Sequence, residues 1–264
     1  MRQNGLAWSV SSEKGTVRQT NQDSYFAAEQ MVGAKKCAAF CVADGMGGTE
    51  HGELASRMAA VMLEGWFYKE FPDLLEEKAD PSFMRRCLHE LLKRINVEII
   101  TQYGQKGIST GTTVSFLLLT EFHYFFAHCG DSRIYILEDN EVLQITEDHT
   151  VRALTEKLGI PQVSMDSPRA SALSSCIGVT ENPEIQTGAG ILTGETGFVL
   201  ATDGVYRFLS VEDCILSPFN TGDAEELTRI ALQNGGLDNA TAILVQVMSY
   251  RKKLYAKWAA KQKW

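Results

Sequence analysis

The sequence lacks the segments that direct a chain into or across a membrane. Its amino terminus has no apolar stretch of signal-peptide length, and no run approaches the roughly 20 apolar residues of a membrane-spanning helix. The six cysteines include no C-x-x-C pair and lie mostly in apolar runs, which is typical of buried thiols in a reducing compartment. We therefore expect a cytoplasmic protein without a membrane span.

Signatures of several familiar chemistries are also missing. The five histidines show no H-E-x-x-H or similar zinc spacing, and neither a G-x-S-x-G nucleophile elbow nor a G-x-x-x-x-G-K-[ST] phosphate loop occurs. A cysteine nucleophile stays open, although nothing marks one. The formal net charge is -8, whereas a general nucleic-acid binder needs a basic face to displace counterions from phosphates. We expect no nucleic-acid partner.

The composition favours a single domain with one sizeable core. The 264 residues are 44% hydrophobic and 22% charged, and they contain no internal repeat. We expect one compact domain over residues 1–249 and a basic tail over 250–264. This tail carries six basic side chains and no acidic one. A solvated terminal helix is the favoured interpretation of the tail, and a membrane or partner anchor is the alternative.

The pattern of apolar residues predicts an α+β fold. Runs rich in β-branched and aromatic residues predict strands over 6–10, 24–28, 37–43, 112–119, 123–128, 133–137, 142–145, 198–201 and 242–247. Asp139-Asn140 predicts a hairpin turn. Amphipathic patterns predict helices over 50–71, from Asp80-Pro81 onward, over 151–158 and over 224–233. The segment 159–197 has weaker periodicity, which predicts a partly mobile surface flap.

Three aspartates stand at the ends of predicted strands. Asp44 closes an apolar run and is followed by Gly45, further glycines and a helical pattern. A hairpin turn, the ordinary interpretation of Asp-Gly after a strand, should instead lead into a second strand. Asp203 closes another run before Gly204, and Asp238 precedes the final strand. Strand ends place side chains rigidly, and glycines let backbone and ions approach closely.

The position of these carboxylates predicts a metal centre. Two strand ends and one strand start can bring the three side chains to one rim of a sheet. Hard cations such as Mg²⁺ and Mn²⁺ bind carboxylate and carbonyl oxygens together with water. Three carboxylates, one of them bridging, and the Gly45 carbonyl suffice for two ions roughly 4 Å apart.

The three motifs, in this order, resemble those of the metal-dependent protein phosphatase family, the type 2C (PPM) serine/threonine phosphatases. Four more segments agree with family motifs: residues 18–23 with R-x-x-N-x-D, 111–113 with G-T-T, 130–133 with G-D-S-R and 146–149 with T-x-D-H. The matches extend from residue 18 to about residue 247. The resemblance implies a β-sandwich of two antiparallel sheets flanked by helices on both faces, with the metal site at one edge.

The resemblance also implies which residues hold the metals. Asp44 would bridge two Mn²⁺ or Mg²⁺ ions, the Gly45 carbonyl would bind one of them, and Asp203 and Asp238 would bind the other. Asp131 matches a position that in bacterial relatives helps Asp203 to hold a weaker third ion. From the residues alone, Asp131 capping a turn at 132–133 is the alternative.

Two further residues are implied to act on the reaction itself. Asp23 would orient metal-activated water, and Arg18 would grip the substrate phosphate with its planar fork of donors. A simple ion pair of Arg18 with a surface carboxylate is the alternative. The implied activity is hydrolysis of phosphoserine and phosphothreonine in proteins phosphorylated by a serine/threonine kinase, carried out in a bacterium by a monomer.

The chain departs from the family pattern at two positions. Met46 stands where animal members carry a histidine as a proposed general acid, so water or another residue must protonate the leaving group. Gln22 replaces the family's glutamate before Asp23, which removes one negative charge. Both departures resemble compact bacterial members, and we therefore expect an active enzyme that prefers Mn²⁺ over Mg²⁺. We expect Asp148 and His149 to stabilise a loop, and residues 111–113 to serve packing at the sheet edge.

Two other function classes stay open at this point. One is a pseudophosphatase, in which the same fold acts as a regulatory binding module with weak catalysis. The other takes residues 44–48, D-G-M-G-G, as the glycine-rich lid of an ATP-binding domain. That class should also show an asparagine-bearing helix upstream, and none precedes Asp44.

Overall fold

Two five-stranded antiparallel sheets form the centre of the computed structural model, which describes residues 5–46, 51–76, 80–138, 141–160, 170–192, 195–209 and 223–248. One sheet has the strand order β1 (Gly5–Glu13), β10 (Ala240–Met248), β9 (Glu195–Ala201), β6 (Arg133–Glu138) and β7 (Glu141–Gln144). The other has the order β2 (Asp23–Val32), β3 (Lys35–Asp44), β4 (Val114–Leu119), β5 (His123–Cys129) and β8 (Gln186–Ile191).

The helices of the described residues lie outside the two sheets. They are α1 (Gly52–Lys69), α2 (Phe71–Glu76), α3 (Pro81–Gly104), α4 (Val151–Lys157), α5 (Asp203–Tyr206) and α6 (Ala224–Gln233). Helix α3 begins where the sequence predicts, because Asp80 Oδ1 accepts a hydrogen bond of 2.8 Å from the Phe83 N–H and Pro81 takes the first helical position.

Alternation along the strands divides the apolar interior into three layers. Phe40 of β3 and Phe198 of β9 are fully buried between the two sheets. Their neighbours point to the opposite faces: Cys41 packs in the layer under α1 and α3, and Val199 packs in the layer under α5 and α6. The order of layers is therefore helix, sheet, sheet, helix, which confirms the predicted four-layer α+β sandwich.

The segment 159–197 contains more regular structure than the sequence predicts. Strand β8 pairs with β5 at the edge of its sheet, and Ile177 is fully buried in the layer under α1 and α3. The pattern was missed because Gly188 and Gly190 weaken the strand signal. The sheet needs both glycines, since a Cβ on Gly188 would lie 2.1 Å from the Phe126 ring and one on Gly190 would lie 2.3 Å from the Tyr124 ring.

Some sequence predictions fall outside the described residues. They are the hairpin turn at Asp139-Asn140, the middle of the predicted flap and the basic tail 250–264. No helix in the described part of the chain is long and apolar enough to cross a membrane. The cysteines described there are free thiols: Cys37, Cys41, Cys87, Cys129 and Cys176.

Candidate metal centre

Five aspartates meet at one end of the β-sandwich. Asp44 ends β3 and Asp23 begins β2, and the two are direct partners in the antiparallel ladder. On the facing sheet, Asp203 follows β9 and Asp238 precedes β10, which runs antiparallel to β9. Asp131 lies where the chain passes from β5 in one sheet to β6 in the other. Because antiparallel neighbours end and begin at the same edge, the structure brings all five carboxylates to a common rim.

The main chain of Asp44 is fixed by two threonines. The Thr113 hydroxyl accepts a hydrogen bond of 2.9 Å from the Asp44 N–H, and the Thr113 N–H donates to the Asp44 carbonyl, also at 2.9 Å. The Thr112 hydroxyl donates to the same carbonyl at 2.9 Å. The segment 111–113 therefore holds the end of β3 in addition to packing at the sheet edge, a role that its sequence did not reveal.

Gly45 and Gly204 pack too closely against backbone for any side chain. A Cβ on Gly45 would lie 2.4 Å from the Gly52 carbonyl oxygen, and one on Gly204 would lie 1.9 Å from the Asn239 carbonyl oxygen. Only glycine allows such an approach. Each glycine directly follows a rim aspartate, so this close packing helps to fix where the neighbouring carboxylate stands.

Asp44 experiences the combined electrostatic repulsion of the other four rim aspartates. Burial raises the pKa of Asp44 well above its ordinary value, and the charges of the other four rim aspartates raise it further. Clustered carboxylates repel one another unless protons or cations compensate their charge. A divalent cation would supply that compensation.

Asp23 is buried with one oxygen satisfied and the other without a partner. Its Oδ2 accepts hydrogen bonds from the hydroxyls of Thr241 and Thr202, at 2.7 and 2.9 Å. Its Oδ1 is buried and finds no hydrogen-bond partner among the described residues. Burial raises the pKa of Asp23 to about 7, although the two threonine hydroxyls act in the opposite direction. An unsatisfied buried acceptor is costly, which indicates that Oδ1 serves a ligand or water.

Arg18 lies in the connection between β1 and β2 and binds Asp238. Its Nε donates to Asp238 Oδ1 and its Nη2 donates to Asp238 Oδ2, each at 2.7 Å. This two-point pair raises the pKa of Arg18, with the Asp238 hydrogen bonds as the largest raising effect. The predicted phosphate-binding residue is therefore paired with a predicted metal ligand.

Arg207 is a second rim arginine, which sequence reasoning missed. Its Nη2 lies 2.8 Å from Asp203 Oδ2 and 3.5 Å from Asp131 Oδ2. A local signal was available, because an aspartate and an arginine four residues apart on a helix face each other. The predicted third-ion ligands, Asp203 and Asp131, thus share an arginine.

Asp131 is held from the other side by an aromatic and ionic network. The Tyr206 hydroxyl donates a hydrogen bond of 2.9 Å to the Asp131 carbonyl. The guanidinium of Arg133 lies 3.7 Å from the centroid of the Tyr206 ring, and its Nε and Nη2 bind the two oxygens of Asp148 at 2.9 and 2.7 Å. Asp148 therefore stabilises this loop, in agreement with the sequence prediction. Burial raises the pKa of Asp131 to about 7.

Asn239 ties the rim to the amino-terminal loop, and it too was missed. Its side-chain oxygen accepts from the Gln22 N–H at 2.9 Å, and its amide nitrogen donates to the carbonyls of Lys14 and Thr20 at 2.7 and 3.0 Å. These bonds hold the segment that carries Arg18 against the start of β10. Residues 217 or more positions apart make them, so no local pattern announces this role.

The donors at the rim fit a pair of hard divalent cations. No three His, Cys, Asp or Glu side chains of the described residues form a ready coordination shell, and Asp203 and Asp238 each bind an arginine. Two guanidinium groups nevertheless leave five carboxylates with an excess of negative charge. The repulsion at Asp44 and the unpartnered Asp23 Oδ1 both indicate that compensating positive charge is missing at the rim. Oxygen donors of this kind suit Mg²⁺ and Mn²⁺.

The chain is similar to known phosphatases over most of its length. Residues 14–234 match the model of a family described as protein phosphatase 2C. The serine/threonine phosphatase stp of Listeria welshimeri is 29% identical over 244 residues, which cover 89% of this chain and 93% of that relative.

Solved structures of similar chains share the fold. The serine/threonine phosphatase of S. agalactiae superposes with a TM-score of 0.78 at 26% identity, over 91% of this chain and 99% of that one. The catalytic domain of the serine/threonine protein phosphatase PstP, solved in complex with two manganese ions, superposes with a TM-score of 0.72 at 25% identity, over 92% of this chain and 99% of that one.

Proposed function

Because this chain belongs to the protein phosphatase 2C family, we propose that it hydrolyses phosphoserine and phosphothreonine in proteins at a centre of two divalent cations. The observation that carries this proposal is the position of Asp44, which stands among four other carboxylates at the rim of the sandwich. A protein would not maintain this repulsion at a purely structural site, because burying unpaired carboxylates opposes folding.

The cations would be held by residues from both sheets. Asp44 would bridge the two ions, the Gly45 carbonyl would bind one of them, and Asp203 and Asp238 would bind the other. Divalent cations in such a centre lower the pKa of water toward neutrality and compensate the charge of the phosphoryl oxygens. Mn²⁺ is the expected preference because Met46 and Gln22 resemble compact bacterial members of the family, and manganese is also the ion bound by the PstP structure.

Two residues of this chain would act on the substrate and the attacking water. Arg18 presents Nε and Nη2 in parallel, the geometry with which arginine binds two oxygens of a phosphate. Asp23 Oδ1 would accept a hydrogen from the attacking water and so orient its lone pair toward phosphorus. Thr202 and Thr241 keep this carboxylate in place through its other oxygen. Since Met46 cannot donate a proton, water or another residue would protonate the leaving group.

We extend the proposal to the organisation and setting of the chain. Residues 1–249 would form the catalytic domain, with 250–264 as a basic tail, and the protein would act as a cytoplasmic monomer on proteins phosphorylated by a serine/threonine kinase. Nucleic acid would not be a partner. The alternative of a catalytically weak binding module has no support, since each carboxylate that the centre needs is present.

Hydrolysis of a phosphothreonine peptide and of an aryl phosphate tests the proposal. Both reactions should require Mn²⁺ or Mg²⁺ and stop on addition of a chelator. Asp203→Asn should lower kcat by roughly 100-fold or more, because it removes a charged ligand. Asp73→Asn is the matched control, since Asp73 is exposed on α2, far along the chain from the rim. An unchanged rate for Asp203→Asn would show that the reaction takes place elsewhere, and binding of phosphopeptide without turnover would favour the binding module.

A further inference from the structure

Arg207 places a permanent positive charge between two rim carboxylates. One nitrogen, Nη2, contacts Asp203 Oδ2 at 2.8 Å and Asp131 Oδ2 at 3.5 Å. A guanidinium does not lose its proton in proteins, so this charge persists at every accessible pH. The two carboxylates that were predicted to share a third metal ion are therefore already bridged by a cation that belongs to the chain.

The surroundings of Arg207 hold it in this position. It directly follows Tyr206, whose hydroxyl is bound to the Asp131 carbonyl at 2.9 Å. The ring of Tyr206 is covered by the guanidinium of Arg133, which is in turn bound to Asp148 at two points. The backbone on both sides of the bridge is thus fixed, and the side chain of Arg207 has only to span from α5 to Asp131.

The carboxylates of the bridge are more buried than the one bound by the other rim arginine. The side chains of Asp131 and Asp203 are 6% and 12% exposed, against 31% for Asp238, whereas the two arginines are similarly exposed, at 43% for Arg207 and 37% for Arg18. Separating the Arg207 bridge would leave two buried carboxylates without compensation unless another cation replaced the arginine. These two carboxylates therefore need a cation, and Arg207 supplies one that belongs to the chain.

We infer that Arg207 is the resident cation of the Asp131–Asp203 position and limits this centre to two divalent ions, an inference that rests on the proposed function. Arg207 contacts Asp203 through Oδ2, so Asp203 would serve the metal pair through Oδ1. Its charge repels a further divalent ion at short range. Asp131 is then a partner of Arg207 and fixes the arginine, whereas the sequence predicted it to be a metal ligand.

The number of Mn²⁺ ions bound per chain tests this inference without reference to activity. Metal content after equilibrium dialysis, together with calorimetric titration, should give about two ions for the wild-type protein and about three for Arg207→Gln. Glutamine keeps much of the length of the side chain and removes its charge, so Asp131 and Asp203 become available to a cation. Arg207→Lys keeps the charge and should still bind about two ions.

A matched control separates the bridge from a general loss of positive charge. Arg229 lies on α6, is about as exposed as Arg207 and is paired with Glu226 three residues earlier on its own helix. Arg229→Gln changes the net charge by the same amount and should leave the ion count at the wild-type value.

Each outcome of the titration decides something. A third ion in the wild-type protein, or an unchanged count in Arg207→Gln, overturns the inference and leaves the proposed function intact. If no variant binds Mn²⁺, the metal centre and the inference both fail. If Arg207→Gln does not fold, the wild-type count and a crystal structure grown in Mn²⁺ decide, since an ion in contact with Asp131 would contradict the resident role of Arg207.

Discussion

Arg18 and Asp238 form a two-point salt bridge, in which Nε and Nη2 of the arginine each lie 2.7 Å from an oxygen of the carboxylate. Arg18, which is proposed to bind the substrate phosphate, is thereby paired with Asp238, which is proposed to bind a metal ion. Both side chains are about one-third exposed, at 37% and 31%, so the pair can open at a cost of about 0–1 kcal/mol. Metal binding to Asp238 would release Arg18, and the released guanidinium could then bind the phosphate of the substrate.

Arg18→Ala should therefore change metal binding and substrate binding in opposite directions. The affinity for Mn²⁺ should rise by up to about fivefold, because Asp238 no longer has a competing partner. The KM for a phosphopeptide should rise by roughly 10- to 100-fold, because one or two charge-assisted hydrogen bonds are lost. Calorimetric titration with Mn²⁺ and steady-state kinetics at saturating metal measure the two effects separately.

The control for this variant is Arg94→Ala. Arg94 also binds a carboxylate at two points, Glu70, with distances of 3.0 and 2.8 Å, but on the surface between helices. The Arg94→Ala substitution should alter neither the affinity for Mn²⁺ nor the KM for a phosphopeptide. Weaker Mn²⁺ binding by Arg18→Ala would contradict the competition between arginine and metal.

Asp44→Asn should abolish hydrolysis and yet stabilise the metal-free protein. The pKa of Asp44 is raised well above its ordinary value by burial and by the neighbouring carboxylates. At neutral pH the unfolded chain ionises this group freely, so the native carboxylate lowers the free energy of unfolding and asparagine removes that effect. In the presence of a chelator we expect a Tm about 2–4 °C higher than that of the wild-type protein. The increase in Tm that Mn²⁺ causes in the wild-type protein should disappear, and a lower Tm in chelator would speak against repulsion at the rim.

The residues alone predicted three of the five rim aspartates, Asp44, Asp203 and Asp238, because each one stands at a strand boundary, where a local pattern is visible. The other two, Asp23 and Asp131, were implied by the family resemblance.

Strand β8 was not predicted from the sequence because it contains Gly188 and Gly190. The rings of Phe126 and Tyr124 on the neighbouring strand leave no room for a side chain at these two positions. Such a contact is set by the pairing of distant segments, and strand propensity does not register it.

The residues that hold the site in place were harder to predict than the residues that form it. Asn239 joins the start of β10 to the loop that holds Arg18, and its hydrogen-bond partner Gln22 lies 217 positions away. Thr112 and Thr113 fix Asp44 across 68 and 69 positions. Polar side chains in these roles look like ordinary loop or strand residues until the two sheets are assembled.

His128 should make the protein progressively less stable in mild acid. It is fully buried between Ser115 and the Glu147 carbonyl, and burial together with the charge of His149 lowers its pKa to about 3. The unfolded histidine binds a proton below about pH 6.5, whereas the folded one stays neutral, so stability falls as the pH falls from 6.5 toward 3. His128 also lies near Asp148, whose charge opposes this effect.

His128→Gln isolates this contribution because glutamine does not titrate. At pH about 7.5 the variant should be less stable than the wild-type protein by about 1–2 kcal/mol, since a buried hydrogen bond is disturbed. The difference should shrink by up to about 1.4 kcal/mol for each pH unit below about 6.5. Urea unfolding of both proteins at several pH values measures this difference in the free energy of unfolding. A difference that stays constant with pH would mean that His128 binds a proton in the folded state as readily as in the unfolded one.

Gly204→Ala and Gly65→Ala should shift stability in opposite directions. A Cβ on Gly204 would lie 1.9 Å from the Asn239 carbonyl oxygen, so the peptide that follows Asn239 must move. We expect a loss of about 1–3 kcal/mol in the free energy of unfolding and weaker Mn²⁺ binding. Gly65 lies within α1 and a Cβ there meets nothing within 4 Å, so alanine should add about 0.5–1 kcal/mol and leave Mn²⁺ binding unchanged. Urea midpoints and Mn²⁺ titrations of the two variants test this contrast. If Gly204→Ala kept both its stability and its metal affinity, the close contact between the end of β9 and the start of β10 could not be what fixes Asp203 beside Asp238.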